Sequence, residues 1–278
     1  RRKTINHSQT LLSNMFLCYV TLLSLLVGIS TTQPVLGLYM IATTSTKKSG
    51  NGLARVRTYN YFAYGSNMAS STMTAMRNLN PIATKAAILP DHRLAFNVPG
   101  TALVEPSWAS VEPTIGGNES DTTAAPTTSS TVHGVLYKLS EEDFEAVCRS
   151  EGVPFAYRLH RCRVVPYLGD GRTAGQSALD SQMQTTMEKD DRGREEGYIG
   201  IQAFTLRAGR KEWRDTQTDI PPSRSYLNVL IRGAKEFKLD QDYLDMLEAY
   251  PAGKTIVGEG IAEGMLSFAE ISQRLRGN

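Results

Sequence analysis

The chain has 278 residues, 41% hydrophobic and 21% charged, with a formal net charge of +2 at pH 7. That length allows one or two ordinary globular domains, and so small a net charge gives no bulk electrostatic reason to bind nucleic acid. Its three cysteines, Cys18, Cys148 and Cys162, exclude a disulfide framework, so stability has to come from a packed core.

No Asp or Glu precedes Asp91, whereas Arg1, Arg2, Lys3, Lys47, Lys48, Arg55 and Arg57 all do, the charge pattern of a targeting segment. The basic start, the apolar run Phe16 to Ile29 and the residues Val35-Leu36-Gly37 read as a signal peptide over residues 1–37, cleaved before Leu38. A membrane anchor through residues 15–29 is the alternative, although the run falls short of the ~20 residues of a spanning helix. Residues 38–57, rich in Ser, Thr, Lys and Arg, read as a flexible linker or a transit-like second signal. The expected location is the secretory pathway or a plastid reached through it, and the cytosol if the signal does not act. On a secreted chain, Asn118-Glu119-Ser120 is a glycosylation sequon.

Tyr61-Phe62-Ala63-Tyr64 are strand formers that stop at Gly65-Ser66-Asn67. Gly65 permits close backbone approach, and Ser66 or Asn67 is a natural N-cap for a helix over Ala69 to Leu79. A helix start of that kind presents unpaired N–H groups and partial positive charge to a small anion; an ordinary strand-to-helix turn is the plainer reading. Pro113 to Thr131 is a low-complexity Gly/Ser/Thr/Ala/Pro stretch, unable to bury enough apolar area to order itself. Val132 to Leu139 reads as a strand, and Ser140 caps a helix with Asp143 in the capping-box position and Phe144 and Val147 on one face.

That helix ends at Glu151, before the breaker Gly152. A carboxylate there faces the negative end of the helix dipole, which disfavours its ionised form and suits an acid/base role near neutral pH. Read alone, Glu151 is a solvated last-turn residue. Arg158 to Tyr167 and Tyr198 to Arg207 read as strands, and the polar segment between them, Gly169 to Gly197, as a solvated loop. Asp240 caps a last core helix to Tyr250 with Tyr243, Leu244 and Leu247 on its apolar side, and Gly260 to Leu275 reads as a further short helix. Periodicity alone gives an α+β chain.

The string YFAYGSN at Tyr61 to Asn67 resembles the signature of the γ-glutamylcyclotransferase family, which includes AIG2-like proteins. Further stretches match in order: His92 to Asn97, Trp108 to Val111, Val132 to Tyr137, the Ser-Glu-Gly turn at Ser150 to Gly152, and Ser223 to Leu239, read as the family's C-terminal strand and approach to a helix. The resemblance covers residues 58–250, with insertions at 113–131 and 169–197, and leaves 251–278 as a C-terminal extension. It implies a small mixed β-barrel with helices packed outside. It also implies a cofactor-independent enzyme acting on a small γ-glutamyl substrate: the substrate's α-amine attacks its own γ-amide carbonyl, giving 5-oxoproline and a free amino acid.

Carried over by position, the resemblance makes Glu151 the general base and then acid. Tyr64, Gly65, Ser66 and Asn67 become donors to the glutamyl moiety, with Tyr157 and Tyr226 as further substrate contacts and Tyr61 as a weaker one. Phe204 stands where relatives carry a tyrosine, so one contact is in doubt. A γ-glutamylamine or glutathione as substrate, or a non-catalytic binding module, are the alternatives, and a homodimer is left open. Other chemistries have little support in the sequence. His7, His92, His133 and His160 lack metal-ligand spacing, Cys148 and Cys162 are too far apart for a zinc knuckle, and Cys148 with His160 has no nucleophile signature. No phosphate-binding loop or dinucleotide fingerprint occurs, and basic residues are not interleaved with aromatics as in a nucleic-acid surface.

Overall fold

A strand that is apolar at successive positions needs cover on both faces. In strand β2 (Arg55–Ala63), Tyr59, Tyr61, Phe62 and Ala63 are all 2% exposed or less. The computed structural model describes residues 43–46, 55–101, 105–114, 131–187, 200–214 and 218–255. The expected leader over 1–37, most of the linker, most of the low-complexity insertion, the charged run at 188–196 and the helix at 260–275 lie outside the described residues.

Beside β1 (Thr43–Thr46) and β2, the strands are β3 (Ala83–Pro90), β4 (His92–Thr101), β5 (Glu105–Pro113), β6 (Thr131–Ser140), β7 (Tyr157–Tyr167) and β8 (Ile201–Ala208). The main sheet runs β1-β2-β6-β3-β7-β8, and β8 returns to pair with β2. Its β2-to-β8 part therefore closes into a five-stranded barrel, antiparallel except at the parallel β2/β8 seam, where Tyr61 registers with Phe204. Side chains reinforce that seam: the Thr205 hydroxyl donates to Phe62 O at 2.9 Å and the Asn60 amide to Gln202 O at 3.0 Å. The mixed barrel implied by the resemblance is the observed one.

Strands β4 and β5 form a separate antiparallel hairpin, irregular between Ala95 and Val98. The buried Glu112 ties it to the barrel by accepting from Arg207 Nε at 2.6 Å, Asn97 Nδ2 at 3.0 Å and Ser110 Oγ at 3.0 Å. The helices are α1 (Glu141–Ser150), α2 (Ala174–Met187), the single turn α3 (Lys211–Arg214), α4 (Arg224–Glu236) and α5 (Gln241–Ala249). Helix α1 begins as expected, with Ser140 Oγ accepting from Asp143 N at 3.1 Å, and buries Phe144 and Val147. Phe144 stacks on Tyr59 with ring centroids 4.8 Å apart.

Several expectations need correction. Thr43–Thr46, within the segment read as a linker, pairs antiparallel with residues 55–58, in keeping with the strand preference of its β-branched threonines. No regular helix fills Ala69 to Leu79; a 3-10 turn at Ser66–Met68 and a π-helical turn at Thr72–Met76 take its place. Neither turn has a side-chain cap, and hydroxyl-bearing residues such as Thr74, bonded to Ser70 O at 2.8 Å, favour such local alternatives. The expected loop at 169–197 holds α2. Its start is held by Asp170 Oδ1, which accepts from Arg172 N at 2.8 Å and Ala174 N at 3.4 Å, and from farther along the chain by Asp240, which accepts from Gly175 N and Gln176 N at 2.8 Å each. Asp240 thus stabilises the start of α2 and makes no side-chain cap on α5. Strand β3, unassigned from the sequence, lies between β6 and β7 with Ala86 to Pro90 buried in succession. Ser223 to Leu239 contains a helix and no strand: Ser223 caps α4, its Oγ accepting from Tyr226 N at 3.0 Å.

Gly134 on β6 allows close strand contact, since a Cβ there would overlap the Ala63 carbonyl oxygen and come within 2.8 Å of the Phe62 ring. Gly134→Ala is expected to destabilise the fold by about 1–3 kcal/mol, read as a lower denaturant midpoint.

Two histidines make stability depend on pH. Burial holds His133 down at about 4, its Nδ1 lying 3.0 Å from the Tyr167 hydroxyl. Burial, and then nearby His92, Arg207 and Arg158, holds His160 at about 4. His92 Nδ1 lies 2.8 Å from Pro90 O, which can only accept, so Nδ1 carries the proton; the His92 Nε2 then accepts from His160 Nε2 at 3.1 Å. Both histidines are neutral when folded and protonate near pH ~6.5 when unfolded. Their contribution is therefore complete above that value and falls away as pH drops from ~6.5 toward 4. Melting temperature should decline across this window, and His160→Gln should flatten the decline.

Candidate active site

Strand β2 delivers Tyr64 to Asn67 at its C-terminal end, and α1 delivers Glu151 at its own. Glu151 is the C-cap of α1, its amide bonded to Val147 O at 3.0 Å, and Gly152 follows with φ +65°, a left-handed turn that glycine adopts without strain. The side chain retains 15% exposure. Its Oε1 accepts from Asn67 Nδ2 at 3.0 Å and forms an ion pair with Arg77 Nη2. Among the described residues Oε2 makes no hydrogen bond.

Asn67 accounts for the missing helix cap. Its side chain is drawn inward, 4% exposed, with Nδ2 donating to the Tyr61 hydroxyl at 2.9 Å as well as to Glu151, and Oδ1 accepting from Arg77 Nε at 3.0 Å. Arg77 ends the π-helical turn and also donates through Nη1 to Ser150 Oγ, which itself donates to Val147 O at 2.9 Å. One guanidinium thereby binds the 64–77 excursion to the C-terminus of α1, and it is 12% exposed at the side chain.

Tyr64, Tyr157 and Tyr226 converge on the backbone of Ala109 in β5. The Tyr157 hydroxyl donates to Ala109 O at 2.9 Å, Tyr64 donates to Leu206 O at 2.6 Å with Ala109 O at 3.5 Å, and Ala109 N donates to the Tyr226 hydroxyl at 3.3 Å. All three rings are buried, and burial raises each phenol well above its ordinary range, so they stand as neutral hydroxyls; Glu151 adds to the rise in each. The Tyr226 hydroxyl also overlies the turn, where a Cβ on Gly65 would approach it to 3.2 Å. Gly65 and Ser66 are half-buried.

The structure thus joins Asn67 directly to Glu151. It gathers Tyr64, Tyr157 and Tyr226 into a second cluster that Glu151 reaches electrostatically, with no hydrogen bond to it among the described residues. Tyr61, the weaker expectation, holds Asn67. Phe204 lies elsewhere: it packs against Phe144 and Tyr59 at 5.5 and 6.5 Å, with the Arg161 guanidinium 5.9 Å from its ring centroid. Arg77 and Ser150 were missed. Arg77 lies ten residues beyond Asn67, in a segment whose irregular turns no helical period describes.

Burial pushes the Cys148 thiol up to about 12, so it is protonated near neutral pH, and His160 is engaged with His92. A Cys148–His160 nucleophile has no geometric support. Among the described residues no group of three His, Cys, Asp or Glu side chains converges to hold a metal, and no helix is long and apolar enough to cross a membrane.

Comparison with known proteins bears on the fold and on the similarity of the sequence. Residues 131–247 match the model of the AIG2-like family. The chain is 28% identical over 184 residues to a protein named γ-glutamyl cyclotransferase gliK from Claviceps purpurea, covering 66% of each chain. It is 30% identical over 202 residues to the protein of that name from Aspergillus fumigatus, covering 68% of this chain and 62% of the relative. These matches span 66% and 62% of the relatives' own length, less than two thirds of each. Among solved structures, one named γ-glutamyl cyclotransferase superposes with a TM-score of 0.50 at 18% identity, covering 76% of this chain and 99% of that one, a likeness of fold. In its ordered motifs and its matched region the chain is similar to the γ-glutamylcyclotransferase-like (AIG2-like) family, and its barrel has that family's fold.

Proposed function

We propose that the chain is a γ-glutamylcyclotransferase that converts γ-glutamyl amino acids to 5-oxoproline and the free amino acid, with Glu151 moving the protons. The observation that carries this reading is the state of the Glu151 carboxylate: one oxygen is clamped by Asn67 and Arg77, and the other has no protein partner among the described residues, at a partly open position beside the Tyr64–Asn67 turn. A base must be held in direction yet keep a lone pair free for the substrate. The names borne by the relatives support the same chemistry for this chain.

In the forward direction Glu151 takes a proton from the substrate's α-ammonium. The freed amine attacks the γ-carbonyl carbon, a new C–N bond closes the five-membered ring, and the carbonyl becomes a tetrahedral oxyanion. Collapse breaks the original amide C–N bond as Glu151 returns a proton to the leaving nitrogen. Overall two protons leave the α-nitrogen and two reach the departing amine, so the carboxylate ends in its starting state and no external water is consumed. Holding amine and carbonyl together supplies much of the acceleration, and in this reading backbone N–H groups of the Gly65–Asn67 turn donate to the substrate's developing negative charge. The tyrosine cluster around Ala109 walls the site with neutral hydroxyls that cannot compete as bases.

Glu151→Gln should lower kcat by about 100- to 10,000-fold while the protein stays folded, read as 5-oxoproline release from γ-glutamyl-alanine, a γ-glutamylamine and glutathione. Absence of release from all three by folded wild-type protein would point to a non-catalytic module. Arg77→Met should reduce kcat by about 100-fold, the scale of misplacing a reacting group, with a smaller change in KM because Arg77 acts through the carboxylate. Equal loss in both constants would place Arg77 on the substrate instead.

A further inference from the structure

The β4–β5 hairpin meets the barrel at two histidines that the cyclotransferase chemistry does not use. His92 opens β4 and His160 lies on β7, and their Nε2 atoms are 3.1 Å apart although 68 residues separate them in the chain. The rings meet through these nitrogens, with centroids 5.3 Å apart and planes at 58°. Both residues are half-buried and keep contact with solvent.

The pair has the properties of two metal ligands. Neutral imidazole is the commonest protein ligand of late first-row cations, and burial favours the neutral form of both rings. A ligating histidine ordinarily anchors its other ring nitrogen on a carbonyl or carboxylate, and His92 Nδ1 is anchored on Pro90 O at 2.8 Å. Two nitrogens bound to one tetrahedral zinc at ~2.0–2.1 Å each lie about 3.3 Å apart, close to the separation observed. The surrounding charges are mixed: Arg207 and Arg158 disfavour a cation, Asp91 and Glu112 favour one, and Arg207 is itself paired with Glu112. Among the described residues no third His, Cys, Asp or Glu side chain converges on the pair, which leaves water to complete the coordination.

We propose that His92 and His160 form a two-imidazole site for a late first-row divalent cation such as Zn²⁺, which replaces the hydrogen bond between them. His160 then carries its proton on Nδ1 in place of Nε2, so both Nε2 lone pairs point at the metal and both rings stay neutral. The ion joins β4 to β7, and so fastens to the barrel the hairpin whose Ala109 receives the three tyrosines. This site does not depend on the cyclotransferase reading, because neither histidine belongs to the Glu151, Asn67 and Arg77 cluster.

The test is calorimetric titration of the untagged full chain, first freed of metal with a chelator, with ZnCl₂ and with MgCl₂, alongside its Tm with and without each ion. Zn²⁺ should bind and raise Tm, because an ion held only by the folded state stabilises it; Mg²⁺, which selects oxygen ligands, should do neither. His92→Gln and His160→Gln should each weaken Zn²⁺ by about tenfold or more, the scale of losing even a group that supports a ligand, and should abolish the rise in Tm. Glu151→Gln should leave both unchanged. Each variant is compared with its own metal-free Tm, so a stability loss caused by the substitution does not mimic the result. Imidazole ¹⁵N spectra of the wild-type chain give a reading that needs no variant: Zn²⁺ should shift the Nε2 signals of His92 and His160 and leave those of His133 in place. The proposal is overturned if Zn²⁺ does not bind, if Mg²⁺ binds as tightly, if either histidine substitution leaves Zn²⁺ affinity intact, or if the His92 and His160 signals do not move.

Discussion

The architecture depends on β2 being paired along both edges and covered on both faces. β6 lies antiparallel on one edge, with Tyr61 opposite Tyr137, and β8 lies parallel on the other, with Tyr61 beside Phe204. Closing the sheet at this strand removes open edges and encloses Phe62, while the opposite face lays Tyr59 beneath Phe144 of α1. A strand so constrained has little freedom where it ends. Its terminus therefore presents Tyr64, Gly65, Ser66 and Asn67 at a set place, within reach of the helix that leaves β6.

The site makes few groups serve many contacts. The Asn67 amide donates to Tyr61 and Glu151 and accepts from Arg77, and the Arg77 guanidinium donates to Asn67, Ser150 and Glu151. Each such group is largely buried, where unmet hydrogen-bonding capacity is costly, so the network has one low-energy arrangement. Rigidity of this kind positions a carboxylate without using all of its oxygens. The tyrosines apply the same economy to the Ala109 backbone, locking the β4–β5 hairpin against the barrel end with hydroxyls that remain neutral because they are buried.

Much of the site was legible in the chain because its elements are local. Strand, glycine turn and Asn67 are consecutive, and Glu151 sits at a helix end announced by Ser140, Asp143 and Gly152. The strands with β-branched or aromatic residues were readable too. What escaped detection lacked a local pattern: β3 is alanine-rich and buried in an unbroken run over Ala86 to Pro90, and among its described side chains α2 turns only Gly175 and Leu179 fully inward, too thin a stripe to register as a period. Asp240 was read as the cap of its own helix because sequence shows neighbours in the chain, whereas its carboxylate bonds amides some 65 residues away.

By itself, the sequence determined the α+β class, the family resemblance, the Tyr64–Asn67 turn and Glu151 as the residue carrying the proposed chemistry. These follow from residue type and short spacing, which the chain states directly. Only the tertiary structure decided that Asn67 turns inward to hold Glu151 instead of capping a helix, that Arg77 completes the clamp, and that Phe204 packs beneath α1. Those outcomes depend on which polar groups lose water together when the barrel closes, and a buried group bonds whatever partner closure brings within reach, however far apart the two lie in the chain.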